Sequence, residues 1–134
     1  MKLQIGQTAK LTKVITSEDI ELFAEISMDK NPVHLDESYA KTTIFKKRIS
    51  HGMLYGSFIS AVIANQLPGP GSIYMKQSFT FLKPVYIGDE ITAVVEIIEI
   101  PKEQTYKLLT RCFNQDNQLI IDGIALILNK SNNE

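Results

Sequence analysis

One cysteine, two histidines and no long apolar run mark this chain of 134 residues, and each shortage excludes something. Cys112 has no partner for an internal disulfide and lies in an apolar, strand-like run away from the histidines, so neither a disulfide scaffold nor a zinc site at the usual spacing is expected. No stretch approaches the roughly 20 apolar residues that span a bilayer, and the opening MKLQIGQTAK lacks the apolar segment and cleavage site of a signal peptide. A cytoplasmic protein without membrane contact is the expectation. The formal net charge of −1 comes from interleaved acids and bases. That removes the basic footprint of nucleic-acid binding, so no nucleic-acid partner is expected. With no repeats, low-complexity segments or linkers ahead of the polar tail 129–134, residues 1–134 read as one domain.

What is present is ordered by period. After a strand candidate near residues 8–15, Thr16 or Ser17 can cap a helix whose first turn holds Glu18 and Asp19, where carboxylates complement the positive helix end. Ile20, Phe23, Ala24 and Ser27 follow helical spacing, and Pro32 is expected to stop that helix. A second helix is predicted over residues 52–66, GMLYGSFISAVIANQ, apolar almost all round and closed by LPGPG. A helix without a polar face must be wrapped. The wrapper is the second half of the chain, which reads as strands joined by short turns and therefore as an antiparallel sheet. Along 72–85 the alternation puts Ile73, Met75, Phe79 and Phe81 on one face, with Tyr74, Lys76, Ser78 and Thr80 on the other. The last strand is apolar on both faces, which predicts a further layer outside it, such as a partner subunit. The expected fold is α+β, a curled antiparallel sheet around a central helix.

Chemistry is concentrated in two short segments. In SMDKNPVHLD, Pro32 stiffens a corner from which Asp29 and His34 can reach one point. A carboxylate and an imidazole there can divide the base and acid roles at neutral pH and hold one water between them. Asp29 by itself would read as an Asx residue folded back on its own backbone. In ISHGML, Gly52 opens the apolar helix, so the unpaired amides of its first turn could stabilise an oxygen gaining negative charge. Alternatively, Gly52 serves close packing at the helix start. The cluster Lys46, Lys47 and Arg48 is either a solvated loop or a contact for phosphate groups.

The motif S-x-D-x-N-P-x-H (Ser27, Asp29, Asn31, Pro32, His34), followed by YAKTTIFKKRISHGML and LPGPGSIYMKQSFTFLKPVYIGDEI, resembles the MaoC-like, R-specific enoyl-CoA hydratases over about residues 5–128. The resemblance implies a hot-dog fold and reversible addition of water to a trans-2-enoyl-CoA, giving an R-3-hydroxyacyl-CoA. It implies an acyl-CoA substrate of fatty acid metabolism, no metal or other cofactor, and a homodimer. By position, Asp29 and His34 become the catalytic pair, with Asp29 favoured as the base, and Gly52 the oxyanion donor. Asn31 would orient the pair, Ser60 and Ile63 would border the acyl pocket, and Lys47 and Arg48 would attract the acidic end of CoA or of an acyl carrier protein. The sequence departs from the family's commonest form at Met28, Lys46 and Lys47, where glycines are frequent; Met28 would shape the entrance. Two rival activities follow: dehydration of an R-3-hydroxyacyl group on acyl carrier protein, and acyl-CoA binding without catalysis.

Overall fold

The computed structural model describes residues 2–131. Six strands form one antiparallel sheet: β1 (Thr8–Val14), β2 (Ile73–Gln77), β3 (Thr80–Phe81), β4 (Glu90–Lys102), β5 (Thr105–Phe113) and β6 (Leu119–Leu128). Their spatial order is β1-β4-β5-β6-β2, with β3 also paired to β6. Four helices, α1 (Ser17–Ser27), α2 (Pro32–Leu35), α3 (Glu37–Ala40) and α4 (Gly52–Asn65), lie between β1 and β2 in the chain.

The period-two pattern does what it predicts in the long strands. Ile91, Ala93, Val95 and Ile97 of β4, Leu108 and Cys112 of β5, and Ile121, Ala125 and Ile127 of β6 are buried in one cluster with Tyr55, Ile59, Val62 and Ile63 of α4. Burying each large aliphatic side chain contributes about 1.5–3 kcal/mol, so this helix–sheet contact is the main source of stability. The curled antiparallel sheet around a central helix is the hot-dog arrangement.

Four details differ from expectation. The first helix does not run to Pro32. It ends at Ser27 because Met28 turns left-handed (φ 65°), and Pro32 instead opens α2 at its first position, where proline's missing N–H is no loss. The alternation of 72–85 is interrupted by a bulge between Tyr74 and Lys76. Ile73 and Met75 are exposed, as is part of Phe81, while the Phe79 and Phe81 rings lie against the glycines of α4. The helix itself is not wrapped on every side, since Met53, Ser57 and Ala64 are exposed and Ser60 and Ala61 half-buried. Finally, the polar tail begins later than residue 129: Asn129 is fully buried and its side-chain amide donates to the Gly69 and Pro70 carbonyls, while 132–134 fall outside the described residues.

Two glycines on α4 set its distance from the sheet. A Cβ on Gly52 would lie 2.6 Å from the Phe81 ring, and one on Gly56, a turn later, 3.0 Å from Phe79. The close-packing role of Gly52 is thus real, and it seats an aromatic ring directly over the head of the helix.

Candidate active site

The corner after α1 is built from short polar bonds. Thr16 caps α1 in a reciprocal box with Asp19. At the other end the Asn31 N–H donates to Asp29 Oδ1 (3.3 Å), and Asn31 Oδ1 accepts from the Val33 N–H (3.3 Å), capping α2. Asp29 is therefore an Asx turn as well as a site residue. Asn31 fixes both members of the pair, through its backbone for Asp29 and its side chain for the helix carrying His34.

His34 is buried, and its Nδ1–H donates to the Ile49 carbonyl at 2.8 Å. A carbonyl only accepts, so the ring proton sits on Nδ1 and Nε2 keeps its lone pair. Burial, which disfavours the charged ring, holds His34 below the usual imidazole range. The nearby His51 adds to this, against the opposing pull of the Ile49 carbonyl and Asp29.

The second histidine belongs to the same cluster. His51 is the N-cap residue of α4 but makes no side-chain cap, so the first amides of the helix at Gly52 are left without one. Its ring stacks on His34 with centroids 3.9 Å apart and planes at 27°, and its Nε2–H donates to the Asp29 carbonyl at 2.9 Å. A carboxylate oxygen of Asp29 and a ring nitrogen from each of His34 and His51 lie within 4.8 Å of one another. One water making two bonds of about 2.8 Å can bridge such a gap. These residues open on a cleft of about 470 Å³, also lined by Gly52, Tyr55, Phe81 and Lys83.

Asp29, His34 and Gly52 thus meet at one cleft, and the remaining expected site residues stand elsewhere. Arg48 is consumed internally. Its Nε donates to the His34 carbonyl (2.7 Å), its Nη1 to Ser17 Oγ (3.2 Å), and its Nη2 lies 3.9 Å from a Glu21 carboxylate oxygen. Lys47 rests over the Tyr86 ring, 5.0 Å from its centroid. Ser60 sits on the open stripe of α4, and Ile63 is packed in the core. Met28 does not line the cleft. Several cleft residues were given no role by the sequence reading, among them His51, which lies in the ISHGML segment, and Lys83, an exposed cation in the stretch after β3.

Comparison with known proteins agrees with this geometry. The MaoC like domain profile matches residues 2–112. An (R)-specific enoyl-CoA hydratase of Rhodospirillum rubrum is 46% identical over 123 residues, covering 92% of this chain and 85% of the relative. A mitochondrial 3-hydroxyacyl-[acyl-carrier-protein] dehydratase of Arabidopsis thaliana is 41% identical over 127 residues, covering 92% of this chain and 75% of the relative. The solved R-hydratase of Pseudomonas aeruginosa superposes with a TM-score of 0.90 at 47% identity, over 95% of this chain and 82% of that one. With sequence, sheet topology and the histidine–carboxylate corner all in agreement, the chain belongs to the MaoC-like family of hydratases and dehydratases.

Proposed function

We propose that this chain is an R-specific enoyl-CoA hydratase, a hydro-lyase that adds water reversibly to a trans-2-enoyl-CoA. The observation that carries the reading is the convergence of Asp29, the bare Nε2 of His34 and the uncapped head of α4 on one cleft. Water bridged between Asp29 and His34 attacks carbon 3 and passes a proton to His34 Nε2. Charge moving onto the thioester oxygen is met by the Gly52 amide at the positive helix end. The pair returns that proton to carbon 2 from the same side, with the Asp29 carboxylate holding the water in place. Water thus supplies both the hydroxyl and the proton, and the pair ends the cycle in the protonation state in which it began. We assign the base role to His34 in place of Asp29, the sequence-based preference; the bond from Nδ1–H to the Ile49 carbonyl supports this by leaving Nε2 free to accept. Acid–base chemistry of this kind needs no metal and no redox cofactor.

The test is direct. Asp29→Asn and His34→Gln should each leave a folded protein and lower crotonyl-CoA hydration by at least about 100-fold, the scale of a lost acid–base group. Near-native turnover in either variant would remove that residue from the mechanism.

Lys83 on the cleft is a cation available to CoA phosphates, whereas Arg48 is held inside and Lys47 lies on Tyr86. Similarity to the plant dehydratase favours a second reading, dehydration of R-3-hydroxyacyl groups on acyl carrier protein. Comparing CoA and carrier-protein thioesters of one chain length separates the two. A homodimer is part of the same proposal. The β2 edge exposes Ile73, Tyr74 and Met75, and the outer side chains of β6, Ile124, Leu126 and Leu128, are only half-buried. Among the described residues no helix is long and apolar enough to cross a membrane, and a cytoplasmic location completes the reading.

A further inference from the structure

We propose that His51 is a positioning residue of the site, an imidazole that locks Asp29 through its backbone and supports His34 through its ring. The inference rests on the hydratase reading for its kinetic consequences, but its structural content stands apart from it.

Three observations converge on His51. It is 2% exposed, and its Nδ1 is buried without a hydrogen-bond partner. A buried polar atom left unpaired costs about 1–3 kcal/mol, and one retained in a folded protein calls for an explanation. The other two observations supply it. Nε2–H holds the Asp29 carbonyl at 2.9 Å, and the ring lies 3.9 Å from the His34 ring while its other neighbour, Phe23, is 4.9 Å away. Only a flat ring that also donates can do both. Phenylalanine would stack without holding the carbonyl, and glutamine would hold the carbonyl without stacking. Asp29 and His34 lie on different turns of the chain, and His51, at the head of α4, is the group that touches both. It thereby ties the pair to the helix end carrying Gly52. Separations between an acid, a base and an oxyanion donor are what such a tie preserves, and misplacements near 1 Å cost up to about 100-fold in rate.

The groups facing His34 are few: Asp29 from the corner, His51 from α4, and Lys83 on the same cleft. Arg48 holds the His34 carbonyl and is itself paired with Glu21 of α1. Burial is the largest influence keeping His34 neutral, and His51 works in the same direction. Replacing His51 should therefore change the pH at which His34 titrates.

The experiment uses the full chain and the fact that it holds two histidines, so that each ring is resolved by 15N-edited NMR. In the unaltered protein the proton should be found on Nδ1 of His34 and on Nε2 of His51. The opposite tautomer at His51 would overturn the proposal without any variant. In His51→Phe and His51→Gln, the His34 midpoint should move from its native value. With crotonyl-CoA, His51→Phe should lose about 10- to 100-fold in kcat with KM little changed, and His51→Gln, which keeps the donor, should recover part of the loss. Folded variants with native His34 titration and native kcat would refute the role. If the unaltered chain fails to hydrate crotonyl-CoA, the hydratase reading falls, and the tautomers and His34 titration decide on His51 alone.

Discussion

Met28 and Lys46 are left-handed, with φ of 65° and 66°. They are also two of the positions where the family resemblance would put glycine, so the backbone explains the family's habit and this chain departs from it at a cost. A side chain in that region costs roughly 1–2 kcal/mol, partly offset by the greater freedom glycine has when unfolded. Met28→Gly and Lys46→Gly should each raise stability by up to about 1 kcal/mol in chemical denaturation; a loss would show that Met28 or Lys46 makes a compensating contact. His34 carries a prediction of a different kind. Its folded value lies below the ordinary 6.5, and in the proposed mechanism its neutral form is the base. Hydration should therefore persist as pH falls through 6.5 and disappear only at lower pH. An acid limb of kcat/KM centred above 6.5 would contradict the assignment. At this scale the sequence exposed the pair itself, because Asp29 and His34 sit in one rigid hexapeptide. It could not expose the stacking of His34 on His51, or the use of Arg48 as a clamp on Ser17, 31 positions away. Such pairings exist only once distant segments meet.

Helix α4 ties stability to chemistry. Its buried face holds the sheet, and its first residue lies under the Phe81 ring. Ile59 is fully buried in that face, so Ile59→Ala should cost about 2–5 kcal/mol in unfolding free energy. Gly52→Ala is a test of the helix head. Its Cβ would meet Phe81 at 2.6 Å, and the ring or the helix must shift to admit it. Because the proposed oxyanion donor moves with the helix, a loss of at least about tenfold in kcat is expected, while the protein stays folded. The bounds of α4 were legible from its apolar run and the LPGPG stop. The bulge between Tyr74 and Lys76 and the strand break at Ser78 and Phe79 were not, since alternation of residue types registers neither. Nor did the pattern reveal which stripe of an all-apolar helix stays open; burial around it depends on how far the sheet curls.

For the whole molecule, the sheet ends on one side at β2, an edge strand with apolar side chains exposed. Edges of that kind pair or aggregate unless charged or covered. If β2 is the dimer contact, Met75→Lys should shift the protein toward monomer in sedimentation without unfolding it, and an unchanged dimer would place the contact elsewhere. The curled sheet, the central helix and the site at the helix head also form one device. The sheet fixes α4, α4 fixes His51 and Gly52, and His51 meets the corner that carries Asp29 and His34. In the proposed hydratase mechanism this lets both members of the pair face the alkene from one side. The most direct measurement is hydration of crotonyl-CoA in deuterium oxide, followed by the configuration of the product at both carbons. The expected product is R-3-hydroxybutyryl-CoA with deuterium at carbon 2 on the same face as the new hydroxyl. An S product, addition to opposite faces, or no hydration at all would contradict a single acid–base pair acting from one side.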